Sequence, residues 1–123
     1  SLRLNTSAQR FRRTLTQNFE LHSNIMRSGD KVLMAYGSGN RDERRWENPD
    51  GYDLGRDTRG HLGLGTGVHV CIGAPIAKLI NRIGAEELIK LAPNYRQIKA
   101  DDQLEWLPSP TFRSMVNYEI AFE

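Results

Sequence analysis

Apolar and polar positions alternate through Gln9-Arg10-Phe11-Arg12-Arg13-Thr14-Leu15-Thr16, with Phe11, Arg13 and Leu15 on one side and Arg12 and Thr14 on the other. That period predicts a strand. Phe19-Glu20-Leu21 and Lys31 to Tyr36 flank a turn-rich stretch ending in Ser28-Gly29-Asp30, which predicts a hairpin whose second strand is mostly buried. Asn40, followed three residues later by Glu43, has the form of a capping pair and predicts a short helix from Arg41 to Trp46. Trp46 to Leu54 is then a meander of turn formers. The period lengthens after residue 74, where Ile76, Leu79, Ile80, Ile83 and Leu91 fall on one face of a helix from about Pro75 to Leu91. That stripe is predicted to be core, with Lys78, Arg82 and Glu86 away from it. Tyr95-Arg96 opens a further strand, Pro108-Ser109-Pro110 makes a rigid loop, and Met115 to Phe122 alternates as a terminal strand. The fold class is therefore α+β.

Between the meander and the long helix lies Gly63-Leu64-Gly65-Thr66-Gly67-Val68-His69-Val70-Cys71-Ile72-Gly73, which holds the only cysteine and four of the eleven glycines. Gly65 and Gly67 permit bends that other residues avoid, and Gly73 lets a bulky group approach the main chain. Pro75 suits the first turn of the following helix, so Cys71 stands at a helix N-terminus, where unpaired amides favour negative charge on the sulfur. His69 lies two residues before Cys71, and an extended loop would point both side chains the same way. Arg13 shares its strand face with apolar neighbours. It is read either as a fork reaching an anion or as a side chain snorkelling at a strand edge.

Composition adds bounds. The 123 residues are 38% hydrophobic and 26% charged with a formal charge of +2, which fits one domain of ordinary size and a soluble chain. Thirteen of the seventeen cations are arginines, ten of them before residue 60, a balance suited to carboxylate or phosphate contacts. A single cysteine excludes an intrachain disulfide and fits a reducing compartment, with the cytoplasm as the expected location. No apolar run has membrane-spanning length, and neither a membrane nor a nucleic-acid partner is expected.

The cysteine loop resembles that of the cytochrome P-450 heme-thiolate monooxygenases, with Leu64, Gly65, Gly67, His69, Cys71, Gly73 and Ala77 matching the family signature except that Leu64 replaces its usual phenylalanine. The resemblance implies heme b (iron protoporphyrin IX), with Cys71 as the axial iron ligand and catalytic residue. It also implies cofactor contacts from Arg13, His69 and His61 and from Leu64, Gly65, Gly67, Gly73 and Ala77. Arg10 and Phe112 would border the substrate. Arg3 fits the arginine of the family's Glu-x-x-Arg helix, whose glutamate would fall one residue before Ser1. Gly51 stands where many members carry a basic residue that completes a salt-bridge triad with that helix. Residues 1–123 would then form a single C-terminal, heme-ligating fragment made of small sheet and hairpins, meander, cysteine loop and long helix. The N-terminal helices of the larger monooxygenase domain would be absent.

The parent enzyme implied is a bacterial-type monooxygenase that inserts one oxygen atom into a small organic substrate, such as an aromatic acid, with electrons from a ferredoxin or flavoprotein. The alternative is an incomplete, non-catalytic fragment that binds no heme and self-associates. From the residues alone, three other readings of the loop stand beside these. A zinc site would use Cys71, His69 and His61, but structural zinc usually takes four ligands. A phosphate cradle would need the lysine and hydroxyl residue that this loop lacks. A nucleophilic Cys71 paired with His69 would need a geometry that neighbours two apart rarely have.

Overall fold

The computed structural model describes residues 1–122. Where length predicts one domain, the chain divides into two compact units, Ser1–Gly63 with Ser109–Arg113, and Leu64–Pro108 with Ser114–Glu123.

In the first unit, strand β1 (Phe11–Thr14) pairs antiparallel with β4 (Lys31–Met34), so that Arg12 faces Leu33 and Arg13 faces Val32. The ribbon between them ends in a second pair, β2 (Phe19–Leu21) with β3 (Asn24–Met26). The expected partnership of 19–21 with 31–36 is thus replaced by two nested pairings. The reason is the tight turn at His22 and Ser23, whose positive φ angles of 49° and 63° match the right-handed twist of a two-residue hairpin without the Asn-Gly signature that advertises one. β4 is largely exposed, not buried, because no second layer covers it within its unit. The segment Ser109–Arg113 returns beside residues 7–9, with Ala8 bridging Phe112 and the Gln9 amide donating to the Thr111 carbonyl at 2.8 Å.

A single helical turn, α1 (Tyr36–Gly39), follows β4, and the predicted helix at Arg41–Trp46 is a run of turns instead. Asn40 closes α1 rather than opening a helix, because its side chain is drawn into the interior. It is 0% exposed; its Nδ2 donates to Thr6 Oγ1 at 2.6 Å and its Oδ1 accepts the Leu62 amide at 2.6 Å. Its carbonyl accepts Arg3 Nη1 at 2.8 Å. Three stretches distant in sequence therefore meet on one side chain. Trp46 is buried beside this hub, its Nε1 donating to the Gly39 carbonyl at 3.2 Å, while the guanidinium groups of Arg3 and Arg45 lie 5.2 and 4.3 Å from its ring centre.

The second unit holds the cysteine loop, helix α2 (Ala74–Leu91), and a short pair, β5 (Arg96–Gln97) with β6 (Ile120–Ala121). The helix falls where its period predicts. The terminal strand shrinks to β6, and Met115 only bridges Trp106. The apolar stripe of α2 is not core: Ile76 is 65% exposed and Ile80 64%, and Leu79, Ile83 and Leu91 are exposed as well. One helix and a two-residue ribbon supply no layer for the stripe to pack on. Among the described residues no helix is long and apolar enough to cross a membrane.

Asn40→Ala should lower stability by about 1–3 kcal/mol, because it leaves the Leu62 amide without its partner and removes the donor that the buried Thr6 hydroxyl accepts. Urea unfolding of the 123-residue chain measures this, and a loss under about 0.5 kcal/mol would contradict the hub.

Candidate functional site

The sequence makes the cysteine loop tight by tying its own backbone together. The Cys71 amide donates back across the loop to the Leu64 carbonyl at 2.8 Å, and the Cys71 carbonyl accepts the Ala74 amide at 3.0 Å as α2 begins. Residues Gly67–His69 form a 3-10 turn, with the Val70 amide reaching the Gly67 carbonyl at 3.2 Å. The loop is therefore not extended. Strand alternation, from which a shared direction for His69 and Cys71 was argued, does not operate there.

The glycines have separate jobs. Gly65 has φ +74°, and a Cβ on it would meet the His69 carbonyl oxygen at 2.4 Å, so both conformation and space demand glycine. Gly67 has φ +58° with nothing within 4 Å, a purely conformational need. Gly73 caps α2 at φ −80°, and a Cβ there would touch only Cys71 Sγ, at 3.8 Å. Its bareness relieves no backbone strain; it leaves space beside the sulfur. Cys71 is exposed, as is His69, while Leu64 and Ala77 are half-buried. A lone exposed thiol on a braced loop, with open space at its side and exposed Val68, Val70 and Ile72 around it, fits a flat apolar group held through sulfur.

The remaining candidates belong to the first unit. Arg13 is half-buried on the same strand face as Phe11, as alternation predicts, with Nη1 donating to the Arg12 carbonyl at 3.1 Å. His61 is half-buried and engaged locally, its Nδ1 accepting the Gly63 amide at 3.1 Å. Phe112 packs edge-on against Phe11 at 6.3 Å between ring centres, and Phe11 in turn contacts Tyr36 at 5.7 Å. Arg10 is exposed and lines a cleft with Arg12. Among the described residues no three His, Cys, Asp or Glu side chains come together to hold a metal ion, so the zinc reading has no ligand set.

Arg3 is buried and held by main-chain carbonyls, Nη1 to Asn40 and Pro49 at 2.8 and 2.7 Å and Nη2 to Gly51 at 3.4 Å. Burial, then the charges of Arg56 and Arg41, push its pKa below the ordinary arginine value, with Asp50 acting the other way. Asp42, half-buried, and Asp57, exposed, are gripped by Arg44 and Arg59 and held at about 2 by those side-chain hydrogen bonds. Sequence reasoning missed Asn40 as an organiser and Arg12 as a cleft residue. The alternation that put Arg12 opposite Phe11 was the available signal for the latter.

A cysteine on a glycine-braced loop at the start of a long helix, in an α+β scaffold, is the arrangement to set against known proteins. The sequence profile of the cytochrome P450 family matches residues 1–90, and the chain belongs to that family. Cytochrome P450 CYP199A2 of Rhodopseudomonas palustris is 48% identical over 79 residues, covering 64% of this chain and 19% of that protein. The P450 monooxygenase PikC of Streptomyces venezuelae is 35% identical over 96 residues, covering 78% of this chain and 23% of its own length. Among solved structures, CalO2 superposes with a TM-score of 0.91 at 33% identity, over 99% of this chain and 30% of that one. The family is enzymatic, and its scaffold is shared here.

The chain thus spans about a fifth of those curated relatives and under a third of the solved chain. This overturns the reading of these residues as the C-terminal portion of a working oxygen-inserting heme-thiolate monooxygenase, because the matched portion is too small a share of the scaffold. The non-catalytic alternative fits these findings better.

Gly67→Ala should cost about 1–2 kcal/mol from the left-handed conformation alone. Gly65→Ala should cost more, because it adds a main-chain clash, and Gly73→Ala should stay within about 1 kcal/mol. Urea midpoints of the three variants give the order; equal losses at 65 and 67 would show that the loop is not closed on the His69 carbonyl.

Proposed function

We propose that these 123 residues are a non-catalytic part of a P450 scaffold, a single C-terminal fragment carrying its cysteine loop, that keeps no heme by itself and associates with itself through uncovered apolar faces. One observation carries the reading. The apolar stripe of α2 lies uncovered, with Ile76 65% and Ile80 64% exposed, and Ile72 in the cysteine loop is 99% exposed. Set against a second copy, such surface supplies the apolar burial that the unit lacks by itself.

Within the scaffold, the loop residues Leu64, Gly65, Gly67, Gly73 and Ala77 are assigned to shaping the seat of heme b, and Cys71 to holding its iron. His69, Arg13 and His61 are assigned to the propionates, as neutral or cationic donors for carboxylates. A heme held this way supplies an iron made electron-rich by the sulfur. The space that Gly73 leaves beside Sγ supports the seat. In the isolated chain that seat is one-sided, and a cofactor loses the contact area that normally retains it.

Two measurements test the reading. Titrated with hemin, then reduced under carbon monoxide, the purified chain should give no stoichiometric thiolate-type heme band, and sedimentation should show a dimer or larger at micromolar concentration. A stoichiometric thiolate-type band, or a monomer throughout that range, would overturn it. Ile76→Lys with Ile80→Lys should shift the sedimentation equilibrium towards monomer by about tenfold or more.

A further inference from the structure

The β1–β4 ribbon has two unlike faces. On the inner one, Phe11 and Arg13 are half-buried and Phe11 meets Tyr36 and Phe112. On the outer one, Arg12 and Thr14 are exposed, and the register sets Leu33 opposite Arg12 and Lys31 opposite Thr14. Arg10, two residues before Arg12, falls in step with it. Three cations therefore share this outer face.

Among the described residues only some arginines of the unit carry an ion pair. Elsewhere in the same unit Arg41 pairs with Asp50, Arg44 with Asp42 at 2.6 Å and Arg59 with Asp57 at 2.6 Å, while Arg3 and Arg56 are taken up by main-chain carbonyls. Among the described residues Arg10, Arg12 and Lys31 have no ion-pair partner; Lys31 donates only to the Thr14 hydroxyl, at 2.6 Å. Neighbouring like charges repel, so the face gains from an anion placed between them.

A cavity of 390 Å³ opens at this point, lined by Arg10, Phe11, Arg12, Leu33, Pro110 and Thr111. No acidic side chain lines it. Phe11, Leu33 and Pro110 give its lining apolar surface, and its volume lies near the lower end of small-molecule sites, about 300–1,000 Å³. Planar guanidinium forks match the paired oxygens of a carboxylate or phosphate, and an exposed Leu33 beside a proline ring gives hydrocarbon a surface to cover.

We propose that this cleft binds a small amphipathic organic anion, a carboxylate or phosphate monoester on a compact apolar body, with the headgroup on Arg10 and Arg12 and the body on Leu33 and Pro110. The cleft takes Arg12 and Leu33 from the outer face and reaches Phe11, and Arg13 does not line it. It moves Arg10 from a substrate border shared with Phe112 to a cleft shared with Arg12, and it does not depend on heme.

Isothermal titration of the 123-residue chain with octanoate and with phenyl phosphate tests the site and separates the two headgroup sources. Saturable binding of either probe is expected, at least about tenfold tighter than inorganic phosphate or octanol, because each control lacks half of the recognition. Arg10→Gln with Arg12→Gln should weaken the bound probe by about tenfold or more, and Arg12→Lys, which keeps the charge but loses the fork, by a smaller factor. Arg44→Gln with Arg59→Gln, which removes cations outside the cleft, should leave binding unchanged. Failure of both probes to saturate, binding no tighter than inorganic phosphate, or equal weakening by the two double variants would each overturn the proposal.

Discussion

A helix with an apolar stripe is stable in water only when another layer covers that stripe, and in its own unit α2 has none. From that constraint the character of the whole chain follows. The long helix is well formed by its period and by Pro75 at its start, yet among the described residues the only buried apolar ones of its unit are Ala74 and Ala92. Local preferences therefore build the elements, while the free energy that should hold them together by burial remains available for contact with something else.

The first unit solves the problem differently. With little apolar interior, it is held by a buried polar hub, where Asn40 joins Thr6 and Leu62 and Arg3 is enclosed by carbonyls beside Trp46. Such hubs are directional: every donor has a particular acceptor, so they fix geometry even where they add modest stability. The meander, rich in turn formers and devoid of strands or helices, is positioned by Arg3 on its Pro49 and Gly51 carbonyls together with turns of its own, such as the Gly51 amide on the Asn48 carbonyl at 3.1 Å. The same unit sets Arg10 and Arg12, which have no ion-pair partner among the described residues, around one cleft that no acidic side chain lines, and that is what makes this place stand out.

Membership of the P450 family and this open architecture are consistent with each other. A scaffold matched over 99% of this chain but only 30% of the related structure has faces in that relative which further chain can meet. The exposed sulfur of Cys71 and the exposed stripe of α2 are two parts of the same uncovered side of the second unit only in the sense that both belong to residues 70–91; what they share physically is the absence of a packing layer, not a common pocket.

The periodic and conformational rules were legible in the sequence. Alternation located β1 and separated Phe11 and Arg13 from Arg12 and Thr14; a helical period located α2; and the glycine pattern marked Gly65 and Gly67 as obligatory, because left-handed φ angles are a local property of the chain. Partner choice was not legible. Which strand pairs with 19–21, whether Asn40 caps a helix or closes one, and whether Ile76 and Ile80 meet a neighbour depend on residues far away in sequence, whose approach no local period encodes. The sequence by itself determined β1, α2, the two positions that require glycine and the family. The tertiary structure alone decided which faces are covered, because burial is a property of two surfaces in contact and a pattern describes only one of them.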